Sequence, residues 1–250
     1  MQKEKIETVM LSKRMAAVAN MVTKGSRTAD IGCDHGFVSI YLMEQHICLN
    51  VLAMDINEGP LEGAREHIAK RNLSKYIEVR QSDGAKALTF LHHEDGSREL
   101  EVDSMIAAGI GGRLMIKIIE ESMDKIASMK EIILQPQSEI VKVRHFLTQN
   151  HFFIVNEDMV YEEGKYYQII KVIPSKTGIT KLSEKEEWFG PVLIQKKHPV
   201  LCQYLINEKK KYEEIKTHIC NHAKDMDTRE KTLSSVSGRL QMINQTLALL

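Results

Sequence analysis

Two acids and two glycines crowd into eight residues, Ala29-Asp-Ile-Gly-Cys-Asp-His-Gly36, and a further acid, Asp55, follows twenty-three positions after Gly32. Glycine has no Cβ and tolerates positive φ, so such a turn lets the backbone approach a ligand closely. A carboxylate ending a second strand suits a ribose diol. The pattern predicts the opening βαβ unit of a nucleoside-cofactor fold, with Asp30, Gly32, Asp34, Gly36, Asp55 and Ile56 as cofactor-binding candidates. A dinucleotide turn reads Gly-x-Gly-x-x-Gly and offers a bare helix N-terminus to a pyrophosphate. Here Asp30 and Asp34 would repel a diphosphate. They suit a cofactor carrying positive charge, such as the sulfonium and amino group of S-adenosylmethionine. The comparison favours a methyltransferase over a dehydrogenase, with a ligand-free glycine turn as the third reading.

Two more strand ends carry candidates. Ser82-Asp83-Gly84 offers Asp83 to an adenine amine, with Gly84 leaving room for the ring. Ala108-Gly109-Ile-Gly-Gly112 places Gly109 at the same crevice, or else simply starts a helix that packs tightly on the sheet. Each acid alone reads equally as a helix N-cap; three in register at strand ends point to one ligand. Many enzymes that methylate exocyclic amines carry Asp/Asn-Pro-Pro-Tyr/Phe at the fourth strand, and this chain does not. A ring nitrogen such as adenine N1 has an in-plane lone pair and needs no deprotonation, so catalysis there is mostly positioning and exclusion of water. His35 and Phe37 lie where a base would arrive, Phe37 to stack and His35 to meet a base edge; a core Phe and a structural His are the plainer readings. Gln135-Pro136-Gln137 offers amides at the same rim.

The elements that must position these residues alternate. Apolar residues at helical spacing predict a helix from Thr8 to Lys24. Strands are predicted at Thr28–Gly32, Asn50–Asp55, Tyr76–Gln81, Ser104–Ala108 and Glu131–Leu134, with helices from Val38, from Asn57, through Glu121 and over Glu139–Gln149. His92–Ser97 reads as a loop. Phe152–Tyr161 and Tyr166–Val172 flank a hairpin turn, which implies a parallel sheet with one reversed edge strand. From about Ser175 helix formers dominate. Leu205, Tyr212, Ile215, Ile219 and Met226, then Leu233, Val236, Leu240, Ile243 and Leu247, predict two long helices packed as an antiparallel coiled coil, the second starting at Asp227 or Thr228. The domains expected are therefore a cofactor-binding domain over 1–174 and a helical one over 175–250.

Bulk composition narrows the classes. The 250 residues are 43% hydrophobic, enough for a core, and the formal net charge is zero, so any nucleic-acid contact needs local charge. Lys3, Lys5, Lys13, Arg14, Lys24 and Arg27 supply it near the N-terminus; Lys13, Arg14 and Arg27 are phosphate candidates, though a solvated helix face reads equally well. Lys196, Lys197, Lys209, Lys210 and Lys211 supply it in the helical region. Four scattered cysteines suggest neither a metal site nor a disulfide framework. No apolar run is long enough to span a bilayer, and a monomer in the reducing cytoplasm is expected.

Six segments in order, Asp30-Ile-Gly-Cys-Asp-His-Gly36, Asn57-Glu-Gly-Pro-Leu61, Ala108-Gly-Ile-Gly-Gly112, Leu134-Gln-Pro-Gln137, Glu163-Gly-Lys-Tyr-Tyr167 and Phe189-Gly-Pro191, resemble the bacterial tRNA (adenine(22)-N1)-methyltransferase family, the TrmK type. The resemblance spans most of the chain. It implies a class I methyltransferase (Rossmann-like) α/β domain, S-adenosylmethionine as donor, tRNA as partner with N1 of adenine 22 as target, and a C-terminal coiled coil. It implies cofactor contacts at the acidic turns and the glycine stretch, and no obligatory base. Ile110 and Ser39 stand where methionine and proline are expected to be commoner in that family.

Overall fold

The computed structural model describes residues 8–175, 178–179, 181–222 and 226–250, with side chains described at all of these except 222 and 226–229. Lys3, Lys5 and the inter-helix turn from Asp225 fall wholly or partly outside the described residues. The chain divides into two units, Met1–Lys181 and Leu182–Leu250.

The first unit is a seven-stranded sheet flanked by helices. β1 (Ser26–Ile31), β2 (Cys48–Asp55) and β3 (Ile77–Gln81) run parallel, as do β6 (Ser104–Ile110) and β7 (Glu131–Pro136) on the other side of β1. β8 (Phe152–Glu162) and β9 (Lys165–Pro174) complete the order β3-β2-β1-β6-β7-β9-β8. β9 is the antiparallel strand and lies between β7 and β8, so the reversed strand is interior and not at the edge as expected. The tight turn at Glu163-Gly164, both at positive φ, folds β9 back between its predecessors. β1 sits where the strand order reverses. Ile31 pairs with Met54 of β2 and with Ala107 of β6, which brings the three strand ends into one row. Such a switch point opens a crevice at the carboxyl ends.

Helices close the faces: α1 (Lys13–Asn20), α2 (Phe37–Glu44), α3 (Glu58–Lys70), α4 (Gly112–Glu121), the single turn α5 (Met123–Ile126) and α6 (Ile140–Gln149). α1 is shorter than its apolar spacing predicts. Ser12 caps it by accepting the Met15 N–H at 3.3 Å, and the carboxylate of Glu162 accepts the Lys13 N–H at 2.6 Å. Buried Glu131 ties the chain after α1 to the sheet, accepting the Thr23 N–H at 2.7 Å and the Lys171 ammonium at 2.6 Å. Arg144 of α6, fully buried, meets Glu157 of β8 at 2.8 Å and also donates to Gln168. The loop expected at His92–Ser97 is present from His93 and joins a small hairpin, β4 (Phe90–His92) with β5 (Arg98–Leu100). Its strands are too short for an alternating pattern to show in sequence.

In the second unit, two short helices not foreseen in the sequence, α7 (Glu184–Phe189) and α8 (Pro191–Gln195), precede α9 (Pro199–His222) and α10 (Met226–Leu247). A Ser183–Glu186 capping box starts α7, and the Arg239 guanidinium lies 3.1 Å above the Trp188 ring. Along the predicted seam Leu205, Val236, Leu240 and Ile243 are buried, whereas Ile215 is exposed, so the apolar seam is not continuous. α10 begins at Met226, ahead of the start expected at Asp227 or Thr228. Among the described residues no helix is long and apolar enough to cross a membrane.

Candidate active site

The row of strand ends opens into a cavity of about 590 Å³. β1 delivers Asp30, Gly32, Cys33 and Asp34, β2 delivers Asp55, and β6 delivers Ala108, Gly109 and Ile110; His35, Phe37, Asn57 and Gln137 complete that side. The opposite wall comes from the N-terminal segment: Met10, Leu11, Ser12, Arg14 and Met15.

Local geometry explains the turn. Gly32, Asp34 and Gly36 take φ of 72°, 52° and 75°. A Cβ on Gly36 would lie 3.1 Å from Ala64 Cβ, so glycine is needed both for the backbone and for packing on α3. The Gly32 and Cys33 N–H groups donate to the Met54 carbonyl at 2.8 and 2.9 Å, joining the turn to β2. Asp55 accepts the Asn57 N–H at 2.9 Å and remains half-buried.

Asp30 differs from the other acids. It is 4% exposed, and its carboxylate accepts a 2.7 Å hydrogen bond from Ser39. Burial pushes its pKa from an ordinary 3.8 up to about 6; the Ser39 hydrogen bonds pull it down and the Asp55 charge adds to the rise. Burial, then Asp30, Asp55 and Asp34, also push the Cys33 thiol far up, which keeps it protonated and unsuited to nucleophilic work.

The β6 end is a bulge. Gly109, at φ 77°, breaks register with β7, and its N–H donates to the Oε1 of Gln135 at 3.1 Å. The same oxygen accepts Arg14 Nη1 at 2.7 Å, and the Arg14 guanidinium stands 4.9 Å from the Tyr167 ring centre. Gly112 is needed for packing: a Cβ there would lie 2.4 Å from the Ser138 carbonyl oxygen. The stretch therefore lines the cavity at Gly109 and packs closely on the start of α6 at Gly112.

The structure gathers Asp30, Gly32, Asp34, Asp55, Gly109, His35 and Phe37 around one cavity. Gly36 lies behind it. Ile56, Asp83 and Gly84 fall outside its lining, though the Ser82 N–H donates to the Asp55 carbonyl at 2.8 Å and Gln81 Nε2 to the Ile56 carbonyl at 2.9 Å, which sets the β3 end beside that of β2. Asp83 is exposed and paired with Lys86 at 2.5 Å. Of the basic residues, Arg14 enters the cavity wall and Lys13 is exposed beside it. Arg27 sits at the far end of β1, paired with Glu99 at 3.1 Å and Asp103 at 3.4 Å. In the second unit Lys196, Lys197, Lys210 and Lys211 are exposed and Lys209 is half-buried; Lys211 meets Glu208 at 3.5 Å. Sequence reasoning missed Ser39 as the partner of Asp30, the N-terminal wall, and His67, whose ring stacks on Phe37. The departure from proline at position 39 was the available signal for the first, because proline has no hydroxyl to donate.

A sequence model of the family described as "TrmK: tRNA (adenine(22)-N(1))-methyltransferase" matches residues 28–244. The tRNA (adenine(22)-N(1))-methyltransferase of Bacillus subtilis is 25% identical over 248 residues, covering 95% of this chain and 97% of its own. The crystal structure of the B. subtilis M1A22 tRNA methyltransferase TrmK superposes with a TM-score of 0.78 at 27% identity, over 96% of this chain and 99% of that one. A Streptococcus pneumoniae protein, Sp1610, solved in complex with S-adenosyl-L-methionine, superposes with a TM-score of 0.78 at 31% identity, over 95% of this chain and 100% of that one. With the acid-lined crevice at the switch point of its sheet, the chain belongs to the TrmK family of tRNA (adenine(22)-N(1))-methyltransferases.

Proposed function

We propose that the chain transfers a methyl group from S-adenosylmethionine to N1 of adenine 22 in tRNA, acting as a monomer in the cytoplasm. The observation that carries this reading is the cavity at the β1, β2 and β6 ends, where three carboxylates converge beside positive-φ glycines. The cofactor fits these residues. Asp30 is a buried carboxylate whose ionised form is under-compensated, and a cationic ligand supplies what it lacks. Asp55 would accept from the ribose hydroxyls. Arg14, on the opposite wall, would meet the ligand's carboxylate. Asp83 and Gly84, beside the β2 end, would take the adenine ring, with Gly36 and Ile56 shaping the backbone around it. The bound cofactor supplies an electrophilic methyl on sulfur.

The protein's part is orientation. Adenine N1 keeps its lone pair in the ring plane, so no proton has to leave before attack and no base is needed. Methyl transfer would leave positive charge on the methylated ring, and Asp34, 3.5 Å from His35 Nε2, would lie at the rim to meet it. Phe37, 41% exposed, offers a face for stacking the base, and His35 offers an edge. The lysines at 13, 196, 197 and 209–211 are the proposed phosphate contacts, joined by the ion-paired Arg27. Two domains, over 1–174 and 175–250, divide the cofactor and helical roles. The test is incubation of unmodified bacterial tRNA with labelled S-adenosylmethionine. N1-methyladenine is expected on digestion, and replacing adenine 22 in the transcript is expected to abolish it. No N1-methyladenine from intact tRNA would end the proposal.

A further inference from the structure

Residues 35–37 lie against one face of α3, and two positions on that face receive their rings. Gly63 leaves space for His35: a Cβ built there would lie 2.6 Å from His35 Nδ1. At i+4, His67 meets Phe37, with ring centroids 4.7 Å apart and planes inclined by 24°. Residues four apart share a helix face, so Gly63 acts as a socket and His67 as a plate for neighbouring side chains at the cavity rim. His67 also lies edge-on to the His35 ring at 6.0 Å. Its Nδ1 is 3.1 Å from the His35 carbonyl oxygen. A carbonyl only accepts, so Nδ1 carries the proton and the imidazole plane is held. Phe37 lines the cavity and His67 does not. His67 therefore backs the ring from outside.

We propose that His67 is a positioning residue for the methyl-accepting base: its stack on Phe37 fixes the ring against which the adenine packs. The inference rests on the adenine-N1 reading above. Without His67, Phe37 keeps its place in the chain but loses the ring that sets its tilt. A stacked aromatic pair is worth about three- to tenfold in a rate that depends on it.

The test compares the full-length wild type with His67→Ala, His67→Phe and His67→Asn on unmodified tRNA. Methylation of adenine 22 by the wild type is measured first. Failure of the functional reading therefore shows in the wild type, and failure of this inference shows only among the variants. His67→Ala is expected to lower kcat about three- to tenfold, with a thermal midpoint lower by only about 2–4 °C and calorimetric affinity for S-adenosylmethionine at the wild-type value. His67→Phe, which keeps a ring on Phe37, restores kcat. His67→Asn, which keeps an N–H for the carbonyl but no ring, does not. A wild-type kcat in His67→Ala, a matching loss of cofactor affinity, or rescue by Asn in place of Phe overturns the proposal.

Discussion

Replacing Asp30 by asparagine is expected to stabilise the protein at neutral pH and to weaken its hold on the cofactor. The folded pKa of Asp30 is raised from 3.8 to about 6, so the folded state binds a proton more tightly than the unfolded chain does. Stability contributed at this residue is therefore complete below about pH 4 and falls as pH rises toward 6. At 1.36 kcal/mol per pH unit, the ionised carboxylate costs about 3 kcal/mol above that window. Asparagine has nearly the same shape, its amide oxygen can accept the Ser39 hydroxyl, and it carries no charge to bury. Urea denaturation of both proteins between pH 4 and 8 measures the difference. The variant should be more stable by about 3 kcal/mol at pH 8, and the gain should vanish near pH 4. A gain that does not change with pH, or a variant less stable at pH 8, would refute the argument that burial of charge dominates at Asp30. Calorimetry with S-adenosylmethionine completes the test, since the charge that destabilises the free protein is the one proposed to receive the cofactor's amino group.

Asp55→Ala should weaken cofactor binding by about 1–3 kcal/mol through loss of charged hydrogen bonds to the ribose, and unchanged calorimetric affinity would remove that assignment. Arg144→Met removes the 2.8 Å ion pair to buried Glu157 and should cost about 3–5 kcal/mol in chemical denaturation; restoring most of it with Glu157→Gln would show that the buried charge is the cause. A chain ending at Lys181, where the first unit ends, should bind cofactor normally and tRNA more weakly, with a shallower salt dependence. An unchanged salt slope would mean that the helical lysines do not meet phosphates.

The acidic turns were legible because each combines a residue type with a strand end. Asp30, Asp34 and Asp55 sit at positions that only the row of parallel strands brings together, and the apolar runs before them announce those strands. The place of β9 was not legible, because a hairpin turn fixes which strands are antiparallel but not which of the two reaches β7. The N-terminal wall was hidden for another reason. Arg14 reads as a solvated helix cation until Gln135, distant in sequence, is seen to accept its hydrogen bond. His67 carried no signal at all, since a lone histidine on a helix is common and its partner Phe37 is a rim residue. Ile215 misled in the opposite sense: it keeps the heptad spacing yet stays exposed, because spacing records which residues share a stripe and not how far the partner helix follows it.

The clasp between α1 and the β8–β9 hairpin has a consequence for biosynthesis. The wall bearing Arg14 is made well before the groups that hold it: Gln135 for the guanidinium, Glu162 for the α1 backbone, Tyr167 for the ring contact. Residues emerge from the N-terminus onward, whereas a domain folds as a unit. A nascent chain that has made β1 to β3 already carries Asp30, Asp34 and Asp55, but it cannot close the cavity over them. Closure of the cavity is therefore expected to wait for the last two strands of the sheet, and a ribosome stalled before Tyr167 is expected to hold the acids with the Arg14 wall unanchored.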